Sequence, residues 1–307
     1  MNYYKADVIW KKKWEINNEE EFVKQLLIKG KFHNNVPENI IKEYKTVEYL
    51  ICHSYYHYPI IDEAFSKCTR IFELSINQRI KELDIKCKES ESLNSKIKKL
   101  QNYTTESLKD EWDAIRKIRN DFAHPKDSTV KGITLINAFY NIVNVLNTIF
   151  IDKSIIKKAE ISFESIQEQC LEFHNKLFVL EKDNKKYLIR KLELCSTNLN
   201  SNIFLFAIYP VFKNIKIDKQ NAIPMPSFLE LYDISFDDSY FYAKTIENDR
   251  VIKIYKTNHV EDINSLNNFK NQLSKVTKES QSIYLFLLDN KIIQEISKFH
   301  YIHNWTE

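Results

Sequence analysis

Two side chains in the run IRKIRNDFAHPKD, residues 115–127, have the types and spacing for proton transfer beside a phosphate. Arg119 carries a permanently charged planar guanidinium, which holds phosphate oxygens in pairs. His124, five positions later, titrates near neutral pH and can give or take a proton. On a helix, Leu108, Trp112, Ile115, Arg119 and Phe122 fall on one side, so Arg119 interrupts an apolar stripe. An unpaired guanidinium there would be costly, so Arg119 needs a carboxylate or an interface lined with polar groups. Glu63 and Glu73, on the long helix that precedes it, both qualify as partners for Arg119 or Arg70. On an ideal helix His124 lies about 140° further round, away from Arg119. Pro125 changes that, because it pushes the residue before it out of the helical region. His124 then becomes a helix-end residue whose ring can swing towards Arg119, where the helix dipole favours its protonated form.

Composition limits the elements that can position this pair. The chain has 307 residues, enough for one large domain or two ordinary ones. It is 43% hydrophobic and 28% charged, as a globular protein is, and it has no apolar run long enough to cross a bilayer. The opening MNYYKADVIWKKKW lacks the features of a secretory signal. Five scattered cysteines with no C-x-x-C pair suit free thiols in a reducing cytoplasm. A net charge of +3 means that any polyanion site must be local. Gly30 and Gly132 are the two glycines, so no dinucleotide fingerprint, P-loop or nucleophile elbow can be written. Arginine accounts for six of 45 basic residues, and two of the six are Arg116 and Arg119.

The pattern divides the chain at about residue 152. Residues 1–152 read as an all-α helical bundle, with helices over 18–30, from Pro37 to Pro59, over 60–86, from about 105 to His124, and over 129–151. The polar run 88–104 reads as loop or loose helix. Residues 153–307 read as an α+β domain with an antiparallel sheet. Here a helix over 162–178 precedes strand-like runs at 186–195, 202–212 and 239–256, the last a hairpin turning at Asn248–Asp249. A long loop at 218–227, a polar helix over 260–278, the apolar run 282–288 and a final helix complete it.

Other residues capable of chemistry have plainer readings. His53 and His57, beside Cys52, have zinc-ligand spacing but no second ligand pair, so no metal or other cofactor is expected. Tyr55, Tyr56 and Tyr58, and likewise His300 and His303, are expected to pack rather than to bind a ligand. Lys11–Lys13 and Lys96–Lys99 are expected to be solvated faces.

The run RNDFAH, with a long helix before it and an apolar helix after it, resembles the R-x4-6-H signature of the HEPN superfamily of all-α nuclease and nucleotide-binding domains. The resemblance covers the first half of the chain. It implies a homodimer that brings two motifs into one cleft, and metal-independent RNA cleavage by Arg119 and His124 with Asn120 assisting. RNA supplies its own nucleophile, the 2′-OH, and two chains supply the two histidines that acid and base roles require. The implied setting is a cytoplasmic toxin or phage-defence ribonuclease, away from membranes. Its C-terminal domain would recognise substrate, or a protein or nucleotide trigger. The alternative is a non-catalytic HEPN-type dimeric scaffold that binds nucleotide or protein.

Overall fold

A computed structural model describes residues 4–123, 132–212, 223–237 and 240–305. The chain forms two compact units, residues 1–156 with 300–307, and residues 157–299.

Among the described residues of the first unit, every regular element is helical: α1 (Val8–Trp14), α2 (Glu19–Leu26), α3 (Glu38–His53), α4 (Ile60–Glu82), α5 (Leu93–Lys99), α6 (Glu106–Ala123) and α7 (Ile136–Thr148). Side chains mark the starts. Asp7, Asn18 and Ser92 accept backbone N–H groups at the first turns of α1, α2 and α5. Helix α4 is the axis of this unit, touching α3, α5, α6 and α7. Its buried side, including Ile61, Phe65, Cys68, Phe72, Ile76 and Ile80, keeps the helical repeat throughout.

Three boundaries differ from expectation. Helix α2 stops at Leu26, not at residue 30. There the Ile28 carbonyl accepts the Tyr44 hydroxyl, and Gly30 N–H donates to Glu48, so side chains replace the helical ladder. Helix α4 stops at Glu82, and Asp84 follows in the left-handed region at φ 51°. The apolar helix expected from residue 129 is a 3-10 turn at Gly132–Leu135 followed by α7. Gly132 has φ +59°, a conformation that costs glycine little.

The second unit contains a sheet, and that sheet is antiparallel as expected. It is not open, however: β1 (His174–Lys182), β2 (Lys185–Thr197), β3 (Phe204–Pro210), β4 (Ser227–Asp237), β5 (Tyr240–Thr245) and β6 (Val251–Lys256) close into a six-stranded barrel through pairing of β1 with β6. The helix expected over 162–178 is instead α8 (Lys153–Cys170), and β1 begins at His174. Alternate residues fill the barrel, among them Phe178, Leu192, Phe206, Leu231, Phe241 and Ile254, with Phe163 and Ile166 of α8 packed against them. The hairpin turn at Asn248–Asp249 lies between β5 and β6, with Asp249 at φ 56°. Two further helices pack on the outside of the barrel. Helix α9 (Val260–Leu273) seats Phe269, and α10 (Lys278–His303) seats Leu288. Helix α10 is continuous through 282–288, a run expected to stand apart from the final helix.

Candidate functional site

Helix α6 delivers Arg119 as the sequence pattern requires. Leu108, Trp112 and Ile115 are buried. The next member of the stripe, Arg119, emerges at the last turn with about a third of its side chain exposed, 32%. Its Nη2 donates to Glu73 Oε2 on α4 at 2.9 Å, and Glu73 is exposed to the same 32%. Its Nη1 lies 3.4 Å from Oδ1 of Asn120, which is itself exposed. Glu73 is therefore the partner of Arg119, whereas Glu63 is exposed two turns or more away on the same helix. A pair this wet contributes about 0–1 kcal/mol to stability. Its effect is to fix the direction in which the guanidinium points. Of the five N–H donors of an arginine, Glu73 and Asn120 engage one on each terminal nitrogen.

Neighbouring charges on α6 are satisfied locally. Asp113 accepts from Arg116 at 2.6 Å and pairs with Lys117 at 3.1 Å, and these two cations hold its carboxyl below the usual range. Arg119 differs from them in reaching across to another helix.

His124 lies outside the described residues, as does Pro125, and so does the side chain of Phe122. The residues on either side of that stretch are both tied to α4. Arg119 bonds Glu73, and Gly132 N–H donates to Asp62 Oδ1 at 2.7 Å. Asp62 and Glu73 are separated by about 16 Å along the helix axis.

The secondary candidates resolve as packing. Helix α3 ends at His53, so His53 and His57 do not share a continuous helix face. Among the described residues no group of three or more His, Cys, Asp and Glu side chains is placed to hold a metal ion. Tyr55 packs on Phe22 at 5.3 Å between ring centroids, and Tyr58 on Trp10 at 5.0 Å. Lys96 is buried and donates to the Glu89 carbonyl, and Lys99 bonds both the Lys86 carbonyl and Glu91. These two lysines brace the 86–99 segment, where a solvated face was expected. Lys11, Lys12 and Lys13 are exposed on α1.

One cluster was missed in the sequence. On the outer side of β5 and β6, Lys253 Nζ lies 4.1 Å from the centroid of Tyr240 and 5.5 Å from those of Tyr242 and Tyr255. Tyr240 and Tyr242 are 5.8 Å apart, with ring planes 31° from parallel. The signal was present as alternation, since Y-F-Y-A-K and V-I-K-I-Y put tyrosines and lysines on one side of the hairpin. On that side Lys244 pairs with Asp233, and Tyr255 reaches Glu181.

No protein-family model, curated protein or solved structure matches this chain.

Proposed function

We propose that this chain is a metal-independent endoribonuclease of the HEPN type, working as a homodimer in a cytoplasmic toxin or phage-defence system. In this reading the helical first unit is a HEPN-like bundle, and Arg119, Asn120 and His124 form the site. The observation that carries the proposal is Arg119 itself. A planar guanidinium on the last turn of α6 is aimed by Glu73 and still partly open to solvent, beside an exposed Asn120. A guanidinium held in this way suits a phosphate better than a core contact.

The steps follow from the residue types. One His124 takes the proton from the 2′-OH, whose oxygen then attacks the adjacent phosphorus. Arg119 offsets the charge that builds on the phosphorane oxygens. The bond to the 5′-oxygen breaks, and the second His124 of the dimer returns a proton to that oxygen. The products are a 2′,3′-cyclic phosphate and a 5′-OH.

The barrel unit would recognise the RNA or a trigger. The Tyr240, Tyr242 and Lys253 cluster supports the first, because unpaired bases stack on aromatic rings beside a cation. The scaffold reading has one observation in its favour, the ion pair that engages Arg119. The deciding experiment incubates purified protein with total RNA beside the His124→Ala variant. Cleavage by the parent and none by the variant is expected. Equal cleavage by both removes His124 from the site, and no cleavage by either favours the scaffold.

A further inference from the structure

Helix α10 has two apolar sides, and the barrel uses one of them. Leu288 is buried against Ala207 and Tyr209, with Tyr284 and Ile292 packed beside it. The Tyr284 hydroxyl also reaches the Pro224 carbonyl at 3.4 Å. This row, at i, i+4 and i+8, anchors the helix. The opposite side is open. Phe286 is 67% exposed and Ile293 60%, while Ile283, Leu285 and Leu287 are each more than half exposed. Such large apolar side chains, clustered on a helix held in place from behind, mark an interaction surface.

Their spacing identifies the kind of partner. Ile283, Phe286, Asn290 and Ile293 follow one another at intervals of three, four and three residues. That is the a/d spacing of a seam between two packed helices. The interval sequence reads the same in both directions, so the stripe fits a copy of itself. No charged residue interrupts it; Asp289 and Lys291 stand to its sides, and Lys291 is engaged by Glu295 at 2.5 Å. Asn290 is the one polar member, and a lone asparagine at such a position commonly sets register between paired helices. Its Nδ2 is directed to the Phe286 carbonyl at 2.7 Å, which leaves Oδ1 directed outward as an acceptor. The area also fits. With about 200 Å² for a large side chain, the five residues present on the order of 500 Å² of apolar surface per copy. Two copies reach roughly 1,000 Å², about where a specific protein interface begins.

We propose that the exposed side of α10, centred on Phe286 and Ile293, pairs with α10 of a second copy of this chain. The pairing needs nothing from the ribonuclease reading. An interface of this size gives a dimer that forms in the micromolar range and dissociates on dilution.

The test is light scattering coupled to gel filtration, comparing the parent with Phe286→Asp combined with Ile293→Asp. The parent should run as a dimer at about 100 μM and the double variant as a monomer with an unchanged thermal midpoint, since both side chains face solvent within one chain. Asn290→Cys, treated with a short bismaleimide, should give covalent dimers well above the parent. Lys270→Cys on the exposed side of α9 should not. The proposal is overturned if the parent is monomeric at that concentration, if the double variant still dimerises, or if Cys introduced at position 290 crosslinks no better than at 270. A monomeric parent that sediments with phosphatidylcholine vesicles through Phe286 would assign the face to lipid and equally overturn it. Measuring RNA cleavage in the same samples separates the two proposals. A monomeric double variant that cuts RNA at the parental rate removes the active dimer and leaves the α10 seam standing.

Discussion

Arg119 Nη2 and Glu73 Oε2 meet at 2.9 Å across the gap between α6 and α4, with both side chains about one-third exposed. The contact aims a guanidinium more than it holds the fold together, because an ion pair this accessible contributes at most about 1 kcal/mol. Glu73→Gln should therefore leave the thermal midpoint within a few degrees of the parent. RNA cleavage should fall about tenfold or more as Arg119 loses its fixed direction. Arg119→Lys should fall at least as far, since an ammonium cannot reproduce the fork. Thermal melts beside initial cleavage rates check this. A midpoint that collapses with Glu73→Gln would mean that the pair is structural.

Gly132 gives a test of how the far end of the 124–131 stretch is held. Its φ of +59° is unfavourable for any residue with a Cβ, and a Cβ there would run into the Tyr58 ring. Its N–H is also bonded to Asp62. Gly132→Ala should cost about 1–3 kcal/mol, from backbone strain and displacement of Tyr58. Urea denaturation measures this directly. A change below about 0.5 kcal/mol would mean that the turn accommodates the methyl group.

How far the sequence revealed the structure depended on whether the deciding contacts were local. The stripes of α4 and α6 were legible because Ile61 to Ile80 and Leu108 to Ile115 keep a helical repeat that needs no knowledge of the partner. Helix α2 was drawn too long because Leu26, Leu27 and Ile28 continue the apolar run, while the bonds that end it come from Tyr44 and Glu48, residues 16 and 18 positions away. Strand β1 was taken for helix because Phe173, Leu177 and Leu180 also fit helical spacing; the alternation that won is set by pairing with β2 and β6. Barrel closure joins Phe178 to Lys256, a pairing no local pattern reports. The same holds at the site. The need for a carboxylate at Arg119 was readable, but the choice of Glu73 over Glu63 depends on which turn of α4 passes α6. Two lysines, Lys96 and Lys99, were read as solvated although their targets are backbone carbonyls in a neighbouring loop.

Glu91 sets a pH dependence in that loop. Its carboxylate accepts the Lys88 N–H, the Lys99 ammonium and the Ser95 hydroxyl, and these bonds hold its pKa down to about 2. A depressed carboxyl contributes stability that is fully present above its unfolded value of 4.5 and is lost as pH falls through about 2. The 86–99 segment should therefore stay protected at neutral pH and loosen progressively below about pH 4.5. Glu91→Gln should exchange its amides faster at neutral pH and show a weaker acid dependence. Hydrogen exchange across that range is the measurement, and identical protection in parent and variant would remove Glu91 from the account.

The chemistry itself offers the sharpest test, because the proposed site uses Arg119 and His124 and takes its nucleophile from the substrate. If the 2′-oxygen attacks, the cut strand ends in a 2′,3′-cyclic phosphate and its neighbour begins with a 5′-OH, with the leaving oxygen protonated by histidine. Three results should then occur together. Cleavage should persist in excess EDTA. A 2′-deoxy or 2′-O-methyl group at the scissile position should block cutting while leaving binding within a fewfold, since the phosphate and bases are unchanged. His124→Ala should lower the rate by about two orders of magnitude or more, the usual contribution of a positioned acid or base, with no change in the melt. End-group analysis of products made in chelator, beside the modified substrates, tests all three. A 5′-phosphate product, or activity that disappears in EDTA and returns with magnesium, would mean activated water as the nucleophile and would move the reaction away from Arg119 and His124.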